Sequence, residues 1–261
     1  MKSADRNQAN DYDSFAEMFS AESDNSLVNA YYERPAMLAL AGDVTGRRIL
    51  DAGCGSGPLS AALRERGAVV TGIDSSAGML ALARRRLGDD VALHVVDLCD
   101  PLPFDHGVFD DVVASLVLHY LEDWGPTLAE FRRVLRPGGR LIASVGHPFV
   151  AYAHRDPRPD YHAITSYTFD WTLNGQSVPM EFWRRPLHAM TDAFTTAGFR
   201  LRVLSEPQPD PAARELFPDG FQDLSTSPNF LFFVVEVPPS ATGTVAPYER
   251  RRDRDNRRPG P

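Results

Sequence analysis

Arg48-Ile49-Leu50-Asp51-Ala52-Gly53-Cys54-Gly55-Ser56-Gly57 is the stretch whose reading decides the fold. A short apolar run ends in an acid and passes into a loop with glycine at every second position. The run reads as a buried strand, and the next segment, Pro58-Leu59-Ser60-Ala61-Ala62-Leu63-Arg64-Glu65-Arg66, reads as a helix. Glycines in such a turn adopt positive φ and let backbone approach a ligand where a Cβ would collide. The helix start that follows offers unpaired N–H groups and a positive dipole end to something anionic. A dinucleotide turn needs Gly-x-Gly-x-x-Gly, the third glycine allowing close helix–strand packing. Here the spacing is Gly53-x-Gly55-x-Gly57, with Pro58 in the third place.

Outward from this loop the alternation is regular. A second strand, Val69-Val70-Thr71-Gly72-Ile73, ends at Asp74 and is followed by a helix over 77–87. A third strand, 92–96, ends at Asp97, and a fourth lies within 108–118. A helix over about 126–135 leads through a tight turn, Arg136-Pro137-Gly138-Gly139, into a fifth strand, 140–145. Strands alternating with helices at this spacing imply a parallel sheet, with ligands at the carboxyl ends of the strands, where the acids and glycines fall. Between 146 and 187 the periodicity breaks into a segment rich in aromatics, proline and histidine, and so long an insertion is usually functional. A helix over 188–197 closed by Gly198, a strand over 200–204, a long Pro-containing loop and a last strand over 230–237 complete the sheet.

Before the first strand, Tyr12, Phe15 and Phe19 share one helical face, and a second helix spans roughly 29–40. Residues 1–10 are polar, and residues after 238 run into Pro, Gly and Arg without apolar period; both ends read as disordered. At 261 residues, 43% hydrophobic and 24% charged, the chain suits one large α/β domain over 11–237 with a lid (11–45) and a cap (146–187). A net charge of −8 argues against a nucleic-acid surface, and no apolar run has membrane-spanning length, so the expected location is cytoplasmic. Cys54 and Cys99 form no Cys-x-x-Cys pair, and no Cys/His spacing calls for a metal. Lys2 is the only lysine, as in a GC-rich, actinobacterial coding bias.

The run Leu50-Asp51-Ala52-Gly53-Cys54-Gly55-Ser56-Gly57 closely resembles the first motif of class I S-adenosylmethionine (SAM)-dependent methyltransferases. Phe109-Asp110-Asp111-Val112 through Leu118-His119, and Phe131-Arg132-Arg133-Val134-Leu135-Arg136-Pro137-Gly138-Gly139, resemble the small-molecule branch near the ubiquinone-biosynthesis enzymes. The resemblance implies an α/β, Rossmann-like, doubly wound seven-stranded sheet, mostly parallel with an antiparallel last strand. It also implies an N-terminal helical lid and an insertion after the fifth strand. Asp51 would then face the methionine amino group, Gly53 and Gly55 give backbone access, and Asp74 accept from the ribose hydroxyls. Ser75 and Met79 would line the adenine pocket, Asp97 and Leu98 meet the adenine, Ser115 lie under the sulfonium, and Arg34 reach the methionine carboxylate. Tyr12 belongs to a Tyr-Asp-x-Phe-Ala segment expected to cover the cofactor. Asp74 alternatively reads as a helix cap, and Arg34 as a surface arginine.

Methyl transfer is an in-line displacement that needs alignment, exclusion of water and sometimes removal of a proton. His147 and His119, near the fifth and fourth strand ends, are the candidate bases. Cap residues Tyr152, Tyr167, Trp171 and Trp183 suit a ring-bearing or apolar small-molecule acceptor, and Arg184 an acidic group on it. The resulting expectation is transfer of a methyl group from SAM to O or N of a small molecule of specialised metabolism, leaving S-adenosylhomocysteine. Methylation at carbon of a quinone-like ring, a SAM-binding module without catalysis and a nicotinamide dehydrogenase stand as alternatives. Neither a nucleic acid nor a membrane is an expected partner, and a homo-oligomer formed through the cap stays open.

Overall fold

A computed structural model describes residues 10–239 except 154 and 174. The expectations for the disordered ends lie almost wholly outside these residues. Asn10 is a correction: its side chain bonds the backbone of Glu181 in both directions, at 2.9 and 3.0 Å.

Helix α1 (Tyr12–Asn25), a π-helical turn (Asn29–Glu33) and α2 (Arg34–Ala41) precede the sheet. There follow β1 (Arg48–Ala52), α3 (Pro58–Glu65), β2 (Val69–Asp74), α4 (Ala77–Leu87), β3 (Ala92–Val95) and β4 (Phe109–Ser115). Next come a 3-10 turn (Leu118–Tyr120), α5 (Gly125–Val134), β5 (Leu135–Gly146) and α6 (Pro148–Ala153). A hairpin of β6 (Thr165–Leu173) and β7 (Gln176–Arg184) leads to α7 (Leu187–Thr196), β8 (Arg200–Ser205), α8 (Ala213–Leu216), α9 (Pro218–Thr226) and β9 (Phe230–Glu236). The main sheet runs β3-β2-β1-β4-β5-β9-β8, and β9 alone runs against the direction of the other six strands. This is the expected Rossmann-like α/β sheet. The strand order reverses between β1 and β4, which opens a crevice at their carboxyl ends.

Helices cover both faces, so the strands are apolar runs whose alternate residues feed two cores. In β9, Leu231, Phe233 and Val235 join a core built with Trp124, Phe131 and Phe194 of the α5–α7 side. Phe232 and Val234 join the opposite core, with Met37, Leu38, Leu59 and Leu63 of α2 and α3. Each fully buried side chain of this kind contributes roughly 1.5–3 kcal/mol.

Three expectations are corrected. The turn Arg136-Pro137-Gly138-Gly139 belongs to β5 as a bulge, because Phe109 pairs with Leu135 and Asp111 already with Arg140. The stretch without periodicity after the fifth strand is largely the β6–β7 hairpin, and the loop before the last strand contains α8 and α9. At the amino-terminal edge of the sheet, away from the crevice, Asp111 is fully buried and ion-paired with both Arg47 and Arg140.

Candidate active site

The loop after β1 is fixed from behind. The amides of Gly53 and Cys54 both donate to the Ile73 carbonyl, at 2.8 and 2.9 Å, and the Gly55 amide donates to Asp74 Oδ2 at 2.8 Å. Gly53 has φ +74°, and a Cβ there would lie 2.6 Å from Val117 Cγ2. Gly46 has a similar φ, +70°, with nothing within 4 Å of the same position. Gly46→Ala is therefore expected to cost only the left-handed penalty, about 1–2 kcal/mol. Gly53→Ala adds overpacking, for a total of about 2–5 kcal/mol. Urea unfolding of both variants separates the two terms, and equal losses would remove the steric account.

Asp51, at the end of β1, is 1% exposed; its Oδ2 accepts from Ser60 Oγ on α3 at 2.6 Å, while Oδ1 is buried with no partner among the described residues. Burial raises its carboxyl to about 7, and the negative charges of Glu33 and Asp74 add to the rise. Asp74, at the end of β2, accepts from Gly55 N and, at 2.9 Å, from Ser76 N. Burial pushes its carboxyl up, against those backbone donors. The side-chain cap of α4 is Ser76, whose Oγ accepts the Met79 amide at 3.0 Å, so the capping role read as an alternative for Asp74 falls to Ser76. Asp97 accepts the Cys99 amide at 2.9 Å.

One cavity of about 1260 Å³ runs along these strand ends. Sites for one drug-sized ligand span roughly 300–1,000 Å³, so this one has room for two. Tyr12, Arg34, Gly53, Gly55, Asp74, Ser75, Met79, Asp97, Leu98 and Ser115 all stand on its wall, as do His119, His147, Tyr167, Trp171, Trp183 and Arg184. Asp51 lies behind the glycine loop, and Tyr152 packs outside the wall against Tyr161, with ring centroids 5.5 Å apart.

Helix α1 is latched onto the start and outer face of α4, beside the Asp74 end of the cavity. Asp13 accepts from Ser76 Oγ at 2.6 Å and from the Gly78 amide at 2.7 Å, and Glu17 and Asp24 pair with Arg85 and Arg86 of α4. Tyr12 Oη lies 2.5 Å from Tyr120 Oη, and Phe19 stacks on Trp171 of the hairpin at 5.5 Å and 6°. Burial holds the Tyr12 hydroxyl well above its ordinary pKa, so it stays protonated.

Several expected roles change in this geometry. His147 is buried, with Nε2 2.8 Å from Glu206 Oε1 and Nδ1 accepting the Phe149 amide at 3.3 Å, so neither ring nitrogen is free for an acceptor. His119 Nδ1 accepts the Gly146 amide at 3.3 Å, which leaves its proton on Nε2, and burial lowers its pKa to about 3. It is a neutral hydrogen-bond donor. Arg184 gives its guanidinium to the carbonyls of Asp160, Tyr161 and Ala163 at 2.6–2.8 Å, holding the cap loop. Arg34 donates to the Ser23 carbonyl at 2.8 Å, and Ser115 Oγ to Glu33 at 2.7 Å. Among the wall residues not expected from the sequence are Arg155, whose guanidinium sits 4.4 Å above the Tyr167 ring, and Glu33. An acid inside the apolar helical run Tyr31-Tyr32-Glu33 to Leu40 was the available signal for the second.

A family model described as a methyltransferase domain matches residues 50–143. The chain is 42% identical over 118 residues to a demethylmenaquinone methyltransferase of Clavibacter sepedonicus, covering 45% of this chain and 48% of that protein. It is 38% identical over 109 residues to a malonyl-[acyl-carrier protein] O-methyltransferase of Serratia marcescens, covering 41% and 42%. The chain thus spans less than half the length of either relative. An S-adenosylmethionine-dependent methyltransferase from Mesorhizobium loti superposes with a TM-score of 0.68 at 28% identity, over 82% of this chain and 99% of that one. Glycine loop, strand-end acids and sheet order agree with these comparisons: the chain carries a methyltransferase-domain match over 50–143 on the Rossmann-like fold of the class I SAM-dependent methyltransferases.

Proposed function

We propose that this protein transfers a methyl group from SAM to O or N of a small, ring-bearing acceptor of specialised metabolism. The observation that carries the reading is the glycine loop, backed by the buried Asp51 and bonded by Asp74, at one side of a cavity that Asp74 and Asp97 line and that has room for a second ligand. The residues fit the cofactor: the unpaired, buried Asp51 Oδ1 suits a ligand ammonium, Asp74 the ribose hydroxyls, and Met79, 1% exposed beneath the lid, a flat base. When bound, SAM supplies an electrophilic methyl group on a sulfonium sulfur. The chain's part is to bind, align and exclude water, with Tyr12, Phe19, Trp171, Tyr167 and Phe182 closing the cavity in one aromatic cluster. Because His119 and His147 are both engaged, alignment rather than proton removal by histidine carries the rate. Arg155 takes the place expected for Arg184 as the cation facing an acidic group on the acceptor.

Methylation at a ring carbon is the second reading, favoured by the stacking wall and by the name of the Clavibacter relative. The test is calorimetric titration with S-adenosylhomocysteine, with NAD as control, followed by label transfer from SAM to a panel of phenols, amines, carboxylates and quinols. Binding of S-adenosylhomocysteine and labelling of one class is the expected result; binding of NAD alone would sink the proposal.

A further inference from the structure

The π-helical turn ends at Glu33, and π turns in otherwise α-helical segments frequently mark functional sites. Glu33 is 3% exposed yet stands on the cavity wall. Its Oε1 accepts from Ser115 Oγ at 2.7 Å and Ser144 Oγ at 2.6 Å, and these serines are cross-strand partners at the ends of β4 and β5. Ser144 Oγ also accepts the amide of Leu116, a non-glycine residue held at φ +49°. Asp51 of β1 pairs with Val113 of β4, two residues before Ser115. Glu33 therefore reaches the strand ends on the same side of the crevice as Asp51, and its negative charge helps to raise the Asp51 carboxyl.

Both carboxyls are buried, one has an oxygen without a partner, and neither has an ion pair among the described residues. The groups facing them are Arg34, whose guanidinium is engaged by the Ser23 carbonyl, the Asp74 carboxyl and the Cys54 thiol, which burial pushes up. Arg34 offsets part of the charge of Glu33 without an ion pair to either acid, and the remaining cost of two buried carboxylates is met by a proton or by a ligand's positive charge. A primary ammonium offers three donors in a compact head, enough for both carboxylates at once.

We propose that Glu33 is a second acid for the methionine ammonium, forming with Asp51 a two-carboxylate seat that the glycine-loop motif alone does not specify. This rests on the methyltransferase reading and adds to it a residue from outside the β1 motif. Burial raises the carboxyls of both Glu33 and Asp51, the latter to about 7. An ammonium arriving at two carboxyls raised in this way displaces a proton that they share. S-adenosylhomocysteine binding should release protons between pH 6 and 7 and tighten as pH rises through that window.

The experiment pairs two ligands and two proteins. S-adenosylhomocysteine carries the amino acid, and 5′-methylthioadenosine shares its adenosine and sulfur but lacks the ammonium. Glu33→Gln keeps an oxygen for the two serines and removes the charge. Titration in phosphate and in Tris, whose ionisation enthalpies differ, counts the protons released. The variant is expected to bind S-adenosylhomocysteine about tenfold or more weakly, with 5′-methylthioadenosine unchanged and proton release reduced. Equal weakening of both ligands would make Glu33 a brace for the strand ends and overturn the seat, as would an unchanged affinity for S-adenosylhomocysteine. If the unaltered protein binds neither ligand, the methyltransferase reading itself fails and this inference goes with it.

Discussion

An Asp74→Ala variant is expected to lose S-adenosylhomocysteine affinity by about a hundredfold or more, read by calorimetric titration. Two charge-assisted hydrogen bonds to ribose hydroxyls are each worth about 1.5–3 kcal/mol, and together they set that scale. The carboxylate also shapes the pocket, since its two oxygens hold the amides of Gly55 and Ser76 and so tie the glycine loop of β1 to the start of α4. Loss of those bonds loosens the loop that gives the ligand backbone access, which adds to the loss of affinity. Ser76→Ala is the informative companion. It removes the cap on Met79 N and the bond to Asp13, at a cost of about 1 kcal/mol, but leaves the Asp74 carboxylate in place. If Ser76→Ala weakened binding as much as Asp74→Ala, the effect would be that of a disturbed α4 start, and Asp74 would have no direct part in the ligand.

The sheet was legible because helices cover both of its faces. Runs such as Leu141 to Ala143 and Leu231 to Val235 are continuously apolar for that reason, and glycines or acids end β1, β2 and the segment after β3. The β6–β7 hairpin was less legible because its aromatic residues serve the cavity and the lid rather than a core. Phe169 is 59% exposed, and only Leu173, Met180 and Phe182 of the two strands are buried hydrophobics. The clue was the Asn174-Gly175 pair between two runs of strand-forming residues, a strong two-residue hairpin signal. Positions of the cofactor-side residues followed from strand ends, which sequence marks well. Partners did not: Arg184 reads in sequence as a free cation and is given to three carbonyls, and His147 reads as a base and is held by Glu206 and the Phe149 amide. Those assignments depend on segments far apart in the chain, where no local pattern constrains them.

The Phe109-Asp110-Asp111-Val112 run carried part of the family resemblance, yet its second acid does structural work at the opposite edge of the sheet. Asp111→Ala is expected to be the most destabilising of the substitutions considered, by about 3–5 kcal/mol, because it leaves two partly buried arginines without their carboxylate. Arg140 Nε lies 2.7 Å from Asp111 Oδ1 and Arg47 Nη2 also 2.7 Å from it, with the second oxygen bonded by both guanidiniums. The pair joins β4 and β5 to the segment entering β1, so the loss falls on the middle of the sheet. Burial alone would raise this carboxyl, but the hydrogen bonds and charges of Arg140 and Arg47 outweigh it and hold the pKa below its ordinary 3.8. A depressed folded pKa means the stabilisation is complete above the unfolded value, near pH 4, and is lost as pH falls through the lower folded value. Urea unfolding at pH 7 and at pH 3 therefore gives different answers: the variant's deficit should be large at pH 7 and shrink toward pH 3 and below, as the native carboxylate takes up its proton. A deficit that stayed constant over this range would mean that packing, and not the charge of Asp111, holds Arg47 and Arg140 in place.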